Sequence, residues 1–447
     1  MSGVRTAWVV AIAAAVIACC GWFAVGASAA DCGGFLQPAC PPAPPSPDPG
    51  GDAGANVSVP PPAPKLFGFN TNLWWQSDRM PALEADKSAQ VGAQVIRTTV
   101  PWANFDATPG DPVVEPAGAA RARLDALYAE AQQNGIKLDL IIDGAPKWAS
   151  AYANCEPIAF ALWPPGCEPV RDGRRLYPTA AHLQDLQRFA SALLQRYPGS
   201  LIEGWNEPNF DTGPQAVGGA FMGQMQCAVW RAAKAQPQPA FVLSPAFGVF
   251  GGESATRQYL RDFYSTGKGC FDALSVHTYN DDRKELGANS PLAIHMRTYR
   301  DARTEAGDTT PMWVTEFGFS TSNAKYGVTE STQRDLTRQE YNKLLTMADV
   351  QAAFVHTLRD RGACQLSFAP YCTPEPDGGP RDLLGPLPQM GDLDNGYGWL
   401  REDWSPKPVF CLFSSLAGTP ACPSSSAASR AAVRRAAKAK VLRRRRH

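Results

Sequence analysis

Short apolar runs alternate with amphipathic stretches over residues 66–420, and this alternation is the clearest structural signal in the chain. Eight apolar runs have the length of buried strands: Leu66–Asn70, Gln94–Thr98, Lys137–Ile142, Leu201–Trp205, Phe241–Pro245, Asp272–His277, Met312–Glu316 and Gln351–Thr357. Segments with helical periodicity lie between and after them: Ala122–Gln133, Ala180–Arg196, Gly219–Ala235, Tyr259–Ser265, Leu292–Glu305, Glu330–Met347 and Pro406–Leu416. Strand and helix repeated in this way predict an α/β fold, and eight repeats favour a single (β/α)8 TIM barrel over an open, doubly wound sheet.

The turn after the first predicted strand argues against dinucleotide binding, which is a common function of folds with alternating strands and helices. Dinucleotide-binding domains carry a glycine-rich phosphate loop at that position. No such loop follows Asn70. The sequence therefore predicts a barrel over residues 66–422, with long loops on the face where the strands end, and no nucleotide cofactor or other cofactor.

The N-terminal segment predicts export. Residues 1–29 contain Arg5, an apolar run and the small residues Ala27-Ser28-Ala29, which together fit a cleavable signal peptide. Two alternatives stay open at this point. The apolar run is long enough to remain as a membrane anchor, and Val16-Ile17-Ala18-Cys19 resembles a lipoprotein box that would make Cys19 the acylated residue.

The segments on either side of the predicted barrel, together with the charge distribution, indicate which binding partners the protein can have. Residues 30–65 form a Cys-containing, Pro-rich spacer, and residues 423–447 form a basic tail that we expect to be disordered. With Arg5 and the nine basic residues from Arg430 onward set aside, 32 basic residues face 42 acidic ones. This acidic body argues against nucleic-acid binding, and the tail could contact a cell wall or an anionic membrane surface. We expect a monomer.

The cysteines predict disulfides rather than a metal site. Ten of the 12 cysteines follow residue 29, an even number that suits an oxidising compartment. We expect sequential neighbours to pair, because local bridges that pin long loops are the simplest arrangement: Cys32 with Cys40, Cys155 with Cys167, Cys227 with Cys270, Cys364 with Cys372 and Cys411 with Cys422. No C-x-x-C or H-E-x-x-H spacing occurs, so no metal is predicted.

Two glutamates stand out among the residues that end the predicted strands. Glu207, in GWNEPNF, follows the fourth strand, and Glu316, in WVTEFGF, ends the seventh. In a barrel these ends meet at one mouth, where active sites lie. Cleavage of a glycosidic bond commonly requires two such carboxyl groups, one as acid and one as nucleophile or stabilising charge.

The motifs around these glutamates resemble those of the retaining glycoside hydrolases of clan A. The resemblance is carried by four features in barrel order: Arg97, Trp205-Asn206-Glu207-Pro208, His277-x-Tyr279 and Thr315-Glu316-Phe317-Gly318. Within the clan, the sequence looks similar to family 5 and family 39 enzymes, and the motifs do not separate these two.

The resemblance implies a role for each matching residue. Glu207 would be the acid/base and Glu316 the nucleophile, while Asn206 would bind the sugar 2-hydroxyl. Arg97 and Tyr279 would hold Glu316 ionised, because a cation and hydrogen bonds both favour the charged form. His277 would bind near the catalytic centre, although a purely structural imidazole is about as well supported.

The aromatic residues complete the expected substrate-binding set. Indoles stack on the apolar faces of sugars, and Trp74 follows the first predicted strand. The clan usually has a Trp at the end of the eighth strand, but this sequence has Phe354-Val355-His356-Thr357 there. Trp399, in the long eighth loop, is the alternative candidate for a sugar platform.

These features together predict an exported retaining glycoside hydrolase that cleaves a polysaccharide or oligosaccharide by double displacement. Two alternatives remain: a transglycosylase, which would share the covalent intermediate, and a non-catalytic carbohydrate-binding barrel at the cell wall. The presence of both Glu207 and Glu316 argues against the non-catalytic protein.

Overall fold

The computed structural model describes residues 65–71, 80–106, 119–158, 162–279, 287–322, 327–360, 373–374, 380–381, 396–419 and 422. The predicted signal segment, the basic tail, Trp74 and nearly all of the spacer lie outside these residues. Among the helices described here, none combines the length and apolar character needed to cross a membrane.

Eight parallel strands form the predicted barrel: β1 (Leu66–Asn70), β2 (Val95–Pro101), β3 (Lys137–Asp143), β4 (Leu201–Glu203), β5 (Val242–Leu243), β6 (Leu274–His277), β7 (Met312–Phe317) and β8 (Val350–Val355). The strands pair in chain order from β1 to β5 and from β6 to β8, and β1 also pairs with β8. Bridge pairs between Leu243 and Ala273 and between Phe247 and Val276 connect the β5 side to the β6 side. The eight-stranded barrel predicted from the sequence is confirmed.

Helices surround the strands: α1 (Pro81–Gln90), α2 (Trp102–Phe105), α3 (Ala119–Gln133), α4 (Glu168–Arg171), α5 (Leu183–Arg196), α6 (Gly219–Lys234), α7 (Glu253–Gly267), α8 (Pro291–Ala306), α9 (Glu330–Leu345) and α10 (Pro408–Leu416). A short hairpin, β9 (Thr373–Pro374) and β10 (Pro380–Arg381), lies outside the barrel sheet. Helix α1 is not among the predicted segments, and α7 starts six residues before the predicted Tyr259. Both segments are rich in polar residues, which weakens their helical pattern.

The barrel interior changes from apolar to polar along the strands. Seven buried residues form a separate apolar cluster, with Val95, Leu201 and Trp313 at or next to the starts of their strands: Val95, Leu201, Leu243, Ala273, Trp313, Ala352 and Phe354. Because alternate residues of a strand share a face, Arg97 follows Val95 and Glu203 follows Leu201 into the interior. The apolar cluster fills the amino end of the barrel, and charged groups occupy the carboxyl end.

Gly68 allows this interior to close. A Cβ atom at this position would lie 2.6 Å from the carbonyl oxygen of Val95 and 2.7 Å from the Phe354 ring. Glycine therefore leaves the space that the Phe354 side chain occupies against β1.

Three of the five predicted disulfides lie in the described part of the chain and are present there. Cys155 pairs with Cys167, Cys227 with Cys270, and Cys411 with Cys422. The other two predicted pairs lie outside the described residues. The Cys155–Cys167 bridge closes a loop that follows β3 at the carboxyl end of the barrel.

Asp139 introduces a second buried carboxyl group beside Arg97. Its position on β3 is in register with Arg97 on β2, and both Asp139 and Glu203 are fully buried. Burial raises the pKa of Asp139 well above its ordinary value, the charge of Glu203 raises it further, and Arg97 opposes this shift. The folded chain thus retains the proton of Asp139 above the pH at which an ordinary Asp loses it.

This retained proton predicts a pH-dependent effect of Asp139→Asn. Between the ordinary Asp pKa and the raised one, the folded state binds more protons than the unfolded state, so the wild type loses stability as pH rises, by up to about 1.4 kcal/mol per pH unit. Asn cannot ionise and escapes this loss. The difference in thermal midpoint, variant minus wild type, should therefore increase with pH across that window. A difference that stays constant with pH would show that Asp139 is ionised in the folded protein.

Candidate active site

The two predicted carboxyl groups meet at the carboxyl end of the barrel. Glu207 lies in the loop after β4 and Glu316 lies near the end of β7. Nδ1 of His277 lies 2.6 Å from Oε1 of Glu207, and its Nε2 lies 3.5 Å from Oε1 of Glu316. One carboxylate oxygen from each glutamate lies within 4.8 Å of the other. The imidazole of His277, 1% exposed, thus contacts both carboxyl groups from below the cleft.

Arg97 is the central cation of this site. Its Nε and Nη2 donate to the two carboxylate oxygens of Glu203, at 2.9 and 2.6 Å. Nη1 donates to Oε1 of Glu316 at 2.7 Å and to Oδ1 of Asn70 at 2.6 Å, and Nη2 also donates to Oδ1 of Asn206 at 2.9 Å. All five N–H groups of the guanidinium are therefore used.

Glu316 is surrounded by groups that favour its ionised form. Burial alone would raise its pKa, but the positive charges of His277, His356 and Arg97 and a hydrogen bond from the Tyr279 hydroxyl together lower the pKa well below the usual range. Burial and the adjacent Glu316 raise the pKa of Tyr279, which therefore remains a donor. The carboxylate is held as an anion, as a nucleophile requires.

Glu207 is more exposed than Glu316 and has an unusual backbone conformation. Its side chain is 20% exposed, against 10% for Glu316, so it is the more open of the two to the cleft. Its backbone has φ of +42°, in the left-handed region that costs a non-glycine residue roughly 1–2 kcal/mol. The N–H of Glu207 donates to the carbonyl of Ala246, and its own carbonyl accepts from Phe210. A local, strained turn thus directs this side chain.

Asn206 is fixed by the same network. Its Oδ1 accepts a hydrogen bond from Arg97, which determines the orientation of the amide. The other side of the amide is an NH₂ donor, and the residue is partly exposed. Asn206 can therefore offer a donor to a ligand beside Glu207.

The same residues meet the distance requirement for a metal site. Glu207, His277 and Glu316 place one ligand atom each within 4.8 Å of one another. However, Glu316 already binds Arg97 and Tyr279, and Glu207 already binds His277. The positive charge of Arg97 compensates the carboxylates, so this donor set fits a carboxyl pair better than a metal centre.

Two of the predicted site residues are almost fully buried. Arg97 and His277 are each 1% exposed, and both act on the glutamates from beneath rather than facing a ligand. Tyr279 is partly exposed and bonded to Glu316. Of the predicted set, Asn206, Glu207 and Tyr279 are partly exposed, and Glu316 is 8% exposed.

Trp399, the candidate for a sugar platform, lies in the core of the structure. Trp399 is 1% exposed and packs against Phe69 at 4.7 Å and Phe413 at 4.4 Å between ring centroids. Its indole faces are covered by β1 and α10. Tyr397, two residues earlier in the eighth loop, is 6% exposed, and its ring lies 5.6 Å from Tyr279.

Several functional neighbours were not assigned a role from sequence. His356 follows β8, with Nδ1 3.4 Å from Oε2 of Glu316 and its ring 5.4 Å from Tyr397. Glu203, the main partner of Arg97, could have been noticed as a charge inside an apolar strand. Tyr397 carries no such local signal, since it lies in a long loop without periodicity.

Comparison with known proteins agrees with this geometry. Residues 178–367 match the family model described as glycosyl hydrolase catalytic core. The barrel resembles a glycoside hydrolase fold of the clan A type. The matched segment contains Glu207, His277, Tyr279 and Glu316, and the findings support glycosidase activity. No curated protein sequence is significantly similar to the chain.

Solved structures of glycoside hydrolases share the fold at low identity. A family 39 enzyme from Bacteroides cellulosilyticus matches 79% of this chain with 16% identity and a TM-score of 0.52. This chain spans 63% of that enzyme's length. A family 5 subfamily 18 protein from Streptomyces cattleya, in complex with Manb1-4GlcNAc, matches 81% of this chain and 82% of its own at 17% identity and a TM-score of 0.53. A subfamily 18 protein from Bifidobacterium longum subsp. infantis matches 80% of each chain at 13% identity and a TM-score of 0.55. Both families suggested by the motifs are thus among the structural neighbours.

The hydrogen bond from Tyr279 predicts how Tyr279→Phe changes the pH dependence of glycoside hydrolysis. Loss of this donor raises the pKa of Glu316, so a higher pH is needed to ionise the carboxylate. The acidic limb of kcat/KM should move to higher pH, and kcat should fall about tenfold or more, because a bond to a charged group is worth roughly 1.5–3 kcal/mol. Tyr128→Phe is the control, because its hydroxyl donates to the carbonyl of Pro198, away from the site. An unchanged acidic limb would contradict this role of Tyr279.

Proposed function

We propose that the protein is an exported, retaining glycoside hydrolase with Glu207 as acid/base and Glu316 as nucleophile. The observation that carries the proposal is the pair of carboxylate oxygens within 4.8 Å of each other, one in a strongly anion-stabilising environment. Retaining enzymes have carboxyl groups about 5–5.5 Å apart, and inverting enzymes need about 6.5–9.5 Å to admit a water molecule. The spacing supports double displacement.

In the first step, Glu316 attacks the anomeric carbon while Glu207 donates a proton to the departing oxygen. The glycosidic bond breaks, a covalent bond to the Glu316 carboxylate forms, and the leaving group departs as an alcohol. Arg97 and Tyr279 stabilise the attacking anion, as their hydrogen bonds to Glu316 indicate. The NH₂ group of Asn206 is suited to hold the sugar 2-hydroxyl beside the reacting carbon.

In the second step, Glu207 acts as a base. It takes a proton from water, and the resulting nucleophile displaces Glu316 with a second inversion at the same carbon. Net retention follows from the two inversions. His277 touches both carboxyl groups and is suited to keep them aligned through the exchange of the proton.

The N-terminal segment and the disulfides both support export. The N-terminal segment fits a signal peptide, and three disulfides occur in the described part of the chain, which suits an oxidising compartment. The substrate class is a polysaccharide or oligosaccharide. Because one structural neighbour was solved with Manb1-4GlcNAc, β-mannosides belong in the first substrate panel beside β-glucosides and β-xylosides.

Variants of the two glutamates test the proposal. Glu316→Ala should abolish turnover, because the proposed covalent intermediate forms on this carboxylate. Glu207→Ala should lose at least about a hundredfold in activity on substrates with poor leaving groups, yet retain activity on dinitrophenyl glycosides, whose departure needs little acid help. Azide should then rescue Glu207→Ala and yield a glycosyl azide of retained configuration.

The glutamate variants need a control at an exposed carboxylate and a measurement of product configuration. Glu253→Ala replaces an exposed carboxylate on α7 and should leave activity unchanged. Proton NMR of the first-formed product reports the anomeric configuration. An inverted product, or full activity of both glutamate variants, would refute the assignment of Glu207 and Glu316.

A further inference from the structure

The turn that carries Glu207 is held from outside the barrel by one arginine. Arg175 lies in the long connection between β3 and α5, after the Cys155–Cys167 loop. Its Nη1 donates to the carbonyl oxygen of Asn206 at 2.6 Å, and its Nη2 donates to the carbonyl oxygen of Glu207 at 3.3 Å. The guanidinium therefore contacts the peptide groups on both sides of the residue with φ of +42°.

The same side chain joins the two ends of this turn. Its Nε donates to Oδ2 of Asp211 at 3.0 Å, and Asp211, four residues after Glu207, is itself buried. Nη1 also lies 3.2 Å from Oδ2 of Asp143, at the end of β3. Arg175 thus connects the first and last residues of the loop 206–211 to the neighbouring strand.

The surroundings keep Arg175 in this position. The hydroxyl of Tyr177 donates to Asp211, and the Tyr177 ring stacks on Trp205 at 5.0 Å between centroids. Trp205 directly precedes the Asn206-Glu207 pair and is fully buried. Arg175, Tyr177 and Asp211 therefore form one bonded unit against the base of the turn.

We propose that Arg175 is a positioning residue that holds the Glu207 carboxyl in line with the leaving-group oxygen for proton transfer. This inference rests on the proposed function of Glu207. A left-handed backbone at a non-glycine residue persists only where its surroundings determine it, and Arg175 supplies bonds to both adjacent carbonyl groups. Proton transfer requires donor and acceptor within about 2.6–3.2 Å, so a small rotation of this turn disables the acid without removing it.

The test uses Arg175→Lys in the full-length protein and aryl glycosides of the sugar that the wild type cleaves best. Lysine keeps the charge that compensates Asp143 and Asp211, but a single ammonium cannot reproduce the planar fork. We expect kcat/KM for a phenyl glycoside to fall about 10- to 100-fold, while kcat/KM for the dinitrophenyl glycoside changes by less than about threefold. Arg174→Lys, one residue earlier and bonded to neither carbonyl, is the matched control and should leave both values unchanged.

The outcomes separate this inference from the proposed function. Absence of dinitrophenol release by the wild type from every glycoside would refute the proposed function. An equal loss on both substrates, or no loss on either, would refute the positioning role alone, since a general structural defect reduces the active fraction without regard to the leaving group. If Arg175→Lys does not fold, as judged by circular dichroism, the charge-balanced double variant Arg175→Gln with Asp211→Asn is measured against the same two substrates.

Discussion

One buried guanidinium organises the carboxyl end of the barrel. Arg97 donates from all five of its N–H groups, and its partners come from β1, β4, β7 and the loop after β4. Burying the Arg97 charge without such partners would destabilise the fold by roughly several kcal/mol. The folded positions of Arg97 and of its partners therefore depend on one another. The spacing of Glu207 and Glu316 follows from this arrangement, because Asn206 and Glu316 bind the same group.

The two glutamates differ because their surroundings differ. Glu316 accepts hydrogen bonds from Arg97 and Tyr279 and is mostly buried, which stabilises its negative charge. Glu207 contacts His277 and has the more exposed side chain of the two, which on the proposed mechanism gives it access to the leaving-group oxygen. On the proposed mechanism, these surroundings suit Glu207 to the role of acid/base and Glu316 to the role of nucleophile.

The fold and the meeting of Glu207 and Glu316 at one end of the barrel could be predicted because their signals are local. Each buried strand is an apolar run, and Glu207 and Glu316 directly follow such runs in short motifs. The burial of the Trp399 side chain could not be predicted in this way. Whether an indole in a long loop faces the cleft or the core depends on α10 and β1, which are distant in sequence. The contacts of Arg175 are equally non-local, since its partners at 206, 207 and 211 follow it by more than thirty residues.

The filled interior of the barrel separates stability from chemistry along the barrel axis. The apolar cluster that includes Trp313 and Phe354 packs the interior and contributes to stability. The charged groups bonded to Arg97 lie toward the carboxyl ends of the strands, where loops rather than core residues vary between enzymes of this fold. On the proposed function, the loops at that end can therefore change to accept another sugar without disturbing the side chains that hold the barrel closed.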